Sequence, residues 1–106
     1  MNARITWTQY PPELVDQLEQ AAVQASGIIA PILKQTPGFR GGYWMADRTN
    51  GLMVGLTFWD SMDGINQYEA ATAEMRAGVA QGQPQQTVGH YEVYCLLYTS
   101  PSPRDS

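Results

Sequence analysis

Residues 37–61, PGFRGGYWMADRTNGLMVGLTFWDS, hold the reading that decides the fold. Phe39 to Asp47 and Leu52 to Trp59 are two apolar, aromatic-rich runs flanking Arg48-Thr49-Asn50-Gly51. An Asn-Gly pair between two such runs is a strong short-range hairpin signal, so strands two and three are expected as antiparallel neighbours. At the far end Asp60 or Ser61 can cap a helix, because a short oxygen-bearing side chain there accepts from the unpaired first-turn amides. At the near end Thr36-Pro37-Gly38 stops whatever helix precedes it.

Working outward, Ala3, Ile5 and Trp7 alternate with Arg4, Thr6 and Thr8, a period of two that reads as a half-buried first strand ended by Tyr10-Pro11-Pro12. From Leu14 the apolar positions Leu18, Ala21, Ala22, Ala25, Ile29, Ile32 and Leu33 keep to one helical face. Gly27 and Pro31 lie inside that pattern, and Pro31 removes a backbone donor, which predicts a kink or break over residues 27–31. Downstream, Ile65, Tyr68, Ala71, Met75 and Val79 form the expected buried stripe of a second helix. Gly78, Gly82 and Pro84 end it, residues 81–86 read as a polar connector, and Val88 to Tyr94 as a fourth strand. The order βαββαβ is that of an α+β, ferredoxin-like split βαβ sandwich, a four-stranded antiparallel sheet with two helices on one face. The strands carry apolar residues in both registers, so the second face needs cover, and a homodimer packed through sheet faces would supply it.

Composition narrows the partners. The chain has 106 residues, 43% of them hydrophobic, which suits one compact domain. A net charge of -4 with six Lys and Arg gives no electrostatic footprint for nucleic acid or an anionic membrane. No apolar run reaches spanning length and no leader pattern opens the chain, so it reads as cytoplasmic with a small aromatic or apolar ligand. Residues 95–106 stand apart: from Cys95 to Asp105 the sequence equals one reading frame of a widely used transposase library adapter. That tail reads as non-native, leaving residues 1–94 as the domain and removing the single cysteine from any metal, disulfide or nucleophile role.

Four motifs carry a resemblance: Pro37-Gly38-Phe39-x-Gly41, Asp47-Arg48-x-x-Gly51, Leu56-Thr57-x-Trp59-x-Ser61 and His90-Tyr91-Glu92-Val93. In this order the chain resembles, over residues 3–94, the antibiotic biosynthesis monooxygenase-like family of the dimeric α/β barrel group. The resemblance implies a dimer and a pocket between sheet and helices. It also implies, for part of the family, cofactor-independent oxygenation of phenols and quinols. A deprotonated aromatic can pass an electron to oxygen directly, so the protein must supply an apolar slot, a hydrogen-bond partner or base, and an anion-stabilising group. No cofactor and no metal are expected. The haem-degrading branch is disfavoured, since His90 lies on a strand and the first strand has no Asn.

Candidate catalytic residues are Tyr68, where oxygenase branches carry a His or Trp, and His90, the single histidine. A phenol near pKa 10 is a poor base at neutral pH, so Tyr68 reads either as a pocket hydrogen-bond donor or as a satisfied core residue. His90 reads either as proton acceptor or as a surface or interface residue. Candidate substrate-binding residues are Trp59, Tyr43, Trp44, Arg40 and Trp7. Tyr43 and Trp44 are adjacent on a strand and must face opposite ways. Trp59 has the alternative of anchoring sheet to helix, and Arg40 that of pairing with an acidic neighbour. The competing functional class is a non-catalytic homodimeric module that binds a small ligand or supports assembly.

Overall fold

The computed structural model describes residues 1–79 and 86–94. Strand β1 (Asn2–Gln9) leads through a 3-10 turn (Pro12–Gln17) into helix α1 (Leu18–Gln35). The hairpin β2 (Phe39–Asp47) and β3 (Leu52–Trp59) follows, then helix α2 (Met62–Val79) and strand β4 (Gln86–Glu92). The sheet order is β2-β3-β1-β4 and every neighbouring pair is antiparallel, the ferredoxin-like α+β arrangement. The polar connector and the adapter-like tail lie outside the described residues. Among the described residues no helix is long and apolar enough to cross a membrane.

The hairpin closes with Asp47 opposite Leu52. The Asp47 carboxylate accepts the Thr49 and Asn50 amides at 3.0 and 3.3 Å and the Asn50 side-chain amide at 2.7 Å. The Asn50 side chain first, then the turn amides, holds the Asp47 carboxyl below the usual aspartate range. Gly51 completes the turn at φ +67°, and a Cβ there would meet the Tyr10 carbonyl at 2.8 Å. At the other end of β2 the register shifts between Phe39 and Gly41, leaving Arg40 as the extra residue of a bulge and Gly41 at φ +118°.

Helix α1 differs from expectation. The segment from Pro12 is a 3-10 turn, and from Leu18 to Gln35 the helix is unbroken despite Pro31. The carbonyl that Pro31 leaves without an amide partner belongs to Gly27, and both residues are exposed, so water can take over the lost bond. In helix α2 Ala71 is exposed and Thr72 takes its place against the sheet, with its hydroxyl donating to the Tyr68 carbonyl at 2.9 Å. A polar residue interrupts the apolar stripe because its hydroxyl is satisfied within the helix.

The core sits at one end of the sheet. Leu33, Trp59, Ile65 and Tyr68 are buried together, with Phe39 and Met62 packed on them. Trp59 has no exposed surface, meets Phe39 edge-on at 5.3 Å and Tyr68 at 5.7 Å, and donates its indole N–H to Thr57 Oγ1 at 2.9 Å. Gly64 is the residue that lets α2 approach so closely, since a Cβ there would lie 2.8 Å from the Trp59 ring.

The two sheet faces are unlike in an informative way. Arg4 reaches Glu69 on α2, so by the strand period Arg4, Thr6 and Thr8 face the helices, while Ala3, Ile5 and Trp7 face away. Cross-strand register puts Val54, Leu56, Phe58, Tyr43, Met45 and Tyr91 on that same outer face. The polar register is thus turned inward and the apolar register outward.

Candidate functional site

That inversion leaves room beneath the helices. A cleft of about 1200 Å³ lies between α1 and the sheet. Its floor is Thr6, Thr8, Met53, Gly55 and Thr57, and its roof Ala21, Ala25, Ile28, Ile29 and Leu33. Small residues on both sides keep the space open. Gly55 is the centre of the floor: a Cβ there would lie 2.7 Å from Thr6 Oγ1 and 3.5 Å from Trp44 Nε1, so its bareness lets the Trp44 indole lie along the floor. Gly42, opposite Thr57, has no space for a side chain at all, since a Cβ would sit 2.2 Å from the Leu56 carbonyl. A shallower recess of about 230 Å³ beside Tyr10, Gln17 and Gln20 carries no charged group.

The charged chemistry gathers where β1, β4 and α2 meet. Arg4 and His90 are directly opposite across the β1–β4 ladder, so their side chains leave the same face. Both converge on one atom: Glu69 Oε2 accepts Arg4 Nε at 2.7 Å and lies 2.6 Å from His90 Nε2. The Arg4 guanidinium also stacks over the Tyr68 ring at 5.2 Å, a cation-π contact. Burial pulls the Glu69 carboxyl upward, but the hydrogen bonds from Arg4 and His90, with their charges, outweigh it and hold the group below the usual glutamate range. Arg4 is 6% exposed and lines the cleft, as do Tyr68 and Thr72. At the other end Lys34 lines the rim. No carboxylate and no histidine lines the cleft among the described residues.

The seven sequence candidates are distributed unevenly. Tyr68 lines the cleft at its inner end and is 6% exposed. Trp44 lines the floor. Its neighbour Tyr43 borders the cleft wall but turns its side chain to the outer face, 65% exposed. Trp7 lies on that outer face and Trp59 is packed in the core, so neither lines the cleft. Arg40 is on the bulge, exposed and paired with Asp60, away from the cleft. His90 touches the cluster through Glu69 and does not line the cleft. The residues that sequence reasoning missed are Arg4 and Glu69. Arg4 read as the polar side of a half-buried strand, and the one available signal was that its whole register, Arg4-x-Thr6-x-Thr8, is hydrogen-bonding in character.

Among the described residues no histidine lines the cleft to serve as a haem ligand, and His90 is held at Nε2 against Glu69 outside the lining. Among the described residues there is also no group of three or more His, Cys, Asp or Glu able to hold a metal ion.

No protein-family model matches the chain, and no curated protein matches it significantly. Solved structures do match. A MhuD variant with two manganese protoporphyrin IX molecules bound per active site aligns over 92% of this chain and 99% of its own, at TM-score 0.69 and 16% identity. A structure described as an antibiotic biosynthesis monooxygenase aligns over 88% and 98%, at TM-score 0.65 and 15% identity. SnoaB of Streptomyces nogalater, described as a cofactor-independent oxygenase, aligns over 91% and 94%, at TM-score 0.61 and 14% identity. A dimeric ferredoxin-like protein from an uncultured marine organism is also among the matches. At these identities the likeness speaks of fold, and the fold of this chain is one it shares with several structures described as antibiotic biosynthesis monooxygenases.

Proposed function

We propose that the protein is a cofactor-independent monooxygenase that takes a small phenol- or quinol-type aromatic into the cleft and works as a homodimer joined through its outer sheet faces. The observation that carries the reading is the cleft itself: about 1200 Å³, with an apolar roof, a floor of threonines, Met53 and Gly55 bordered by Trp44, and a buried cation at its inner end. In the reaction a phenolate gives an electron to oxygen, and the radical pair joins at a ring carbon. Loss of water from the hydroperoxide then leaves a quinone. One oxygen atom enters the product and the other leaves as water, so the substrate supplies all the electrons. The chain's part is to exclude water, hold the ring flat beside Trp44, donate hydrogen bonds from Tyr68 and the floor threonines, and stabilise the anion. His90, one atom removed through Glu69, acts on position and charge and does not touch the ring.

The dimer rests on the outer face, where Tyr43, Met45 and Tyr91 are exposed beside Ile5, Trp7 and Leu56. A second reading, a binding module without catalysis, is favoured by one observation: no histidine or carboxylate lines the cleft as a base among the described residues. Oxygen uptake by the purified protein against a panel of quinols and polyphenols separates the two. Uptake that is lost in Tyr68→Phe and reduced in His90→Ala is the expected result. Ligand binding with no uptake on any substrate would leave only the binding module.

A further inference from the structure

We propose that the cleft selects a hydroxylated aromatic acid, its carboxylate seated on the terminal amino groups of Arg4. The hydroxylated ring rests on the oxygenase reading; the acid does not. Arg4 Nε is committed to Glu69 and the face of the guanidinium to Tyr68. Its two terminal amino groups have no hydrogen-bond partner among the described residues, although the side chain is 7% exposed and lines the cleft. Buried guanidinium donors left unpaired are costly, and a ligand that satisfies them recovers that cost. The edge formed by two terminal amino groups matches the two oxygens of a carboxylate, with parallel charge-assisted hydrogen bonds.

The rest of the lining agrees. Among the described residues the ionic groups facing the cleft are Arg4 and Lys34, both cations, in a chain whose net charge is -4. Lys34 enters no ion pair among the described residues and adds attraction at the rim. Glu69 stands beside Arg4 and would repel a second carboxylate. Sharing its Oε2 between Arg4 and His90 disperses that charge. Trp44, laid along Gly55, gives the ring a flat surface, and its indole N–H has no partner among the described residues. An acid at Arg4 therefore fixes which end of the ring enters first.

The test is anaerobic binding of three probes, 1-hydroxy-2-naphthoate, 1-naphthol and 1-naphthylmethylamine, followed by calorimetry at neutral pH. The acid is expected to bind about tenfold more tightly than the neutral naphthol, and the ammonium most weakly. The variant Arg4→Gln with Glu69→Gln removes both charges together and leaves neither orphaned. It is expected to lose the preference for the acid over naphthol, while Arg4→Lys keeps part of it. Equal affinity for acid and naphthol, no binding of the acid, or a preference that survives the double variant would each overturn the proposal. The comparison of probes on the unaltered protein stands even where the variant does not fold. A preference for the acid without oxygen uptake on any quinol would sink the oxygenase reading and leave this one intact. Equal oxygen uptake on neutral and acidic quinols would do the reverse.

Discussion

Glu69→Gln is the most direct probe of the Arg4–Glu69–His90 cluster, because the amide keeps the size and the acceptor oxygen and removes only the charge. Two hydrogen bonds converge on Glu69 Oε2, at 2.7 Å from Arg4 and 2.6 Å from His90. A hydrogen bond to a charged group contributes about 1.5–3 kcal/mol and a neutral one about 1, so each weakens by about 1 kcal/mol and the pair by about 2. The Glu69 side chain is 24% exposed, which keeps the loss from reaching the larger values of fully buried pairs. With a urea dependence of about 2 kcal/mol per molar, the midpoint should fall by about 1 M at pH 7.

The same substitution has a pH signature whose sign is fixed by the cause. Burial raises the Glu69 carboxyl, and hydrogen bonds and charge from Arg4 and His90 more than reverse it, so its folded value lies below the unfolded one. Such a group stabilises the fold fully above the ordinary glutamate value, and that contribution is lost as pH falls through the depressed folded value. The gap between the parent and Glu69→Gln should therefore close from about pH 5 downward. Urea melts at fixed protein concentration measure it, since the stability of the proposed dimer would depend on concentration. Repeating the pair in a His90→Gln background isolates the contribution of the Arg4 bond. A gap that stays constant from pH 7 to pH 3 would refute the argument that Glu69 is held as the carboxylate by its partners.

Three further outcomes follow from the geometry. Trp59→Ala removes a fully buried ring and its contacts with Phe39 and Tyr68, and should cost about 3–5 kcal/mol in a thermal or urea melt. A loss under 1 kcal/mol would mean that Trp59 is not the anchor of sheet to helix. Gly55→Leu puts a side chain where even a Cβ meets Thr6 Oγ1 at 2.7 Å; naphthol binding should fall at least tenfold while the far-ultraviolet circular dichroism is kept. Tyr43→Asp with Met45→Asp places two charges on exposed outer-face positions, so light scattering should report a monomer with cleft binding retained; a dimer unchanged by both would place the interface elsewhere.

Much of the architecture could be read before any coordinates, for reasons that differ by element. The hairpin was legible because Asp47, Asn50 and Gly51 make their turn from local bonds alone. The alternation of β1 was legible too, but a period of two separates faces without saying which one the helices cover. Here the Thr6 and Thr8 face is the covered one, against the usual expectation that apolar residues turn toward a helix layer. Thr72 was passed over because it is polar, and its self-satisfied hydroxyl shows only in the helix. The Arg4–Glu69–His90 cluster joins three elements far apart in the chain, and nothing at any one of those positions announces the others. For Arg40 and Trp7 residue type suggested ligand contact, while the bulge sets Arg40 apart from the cleft and the strand register places Trp7 on the outer face.

The central place of β1 has a kinetic consequence. Residues 2–9 pair on one side with 52–59 and on the other with 86–92, so β1 is flanked by two strands that follow it at long range, β3 and β4. A nascent chain can close its local hairpin early, because β2 and β3 are neighbours in sequence. Strand β1 has to wait for most of the chain to emerge before both of its edges are filled. During that interval the Ile5 and Trp7 side of an unpaired edge is available to other nascent chains, which makes long-range strand pairing the slow and aggregation-exposed step. Arg4 on the alternate register keeps a charge within the same waiting strand, and a chain that later needs that guanidinium beneath its helices has it as a gatekeeper first.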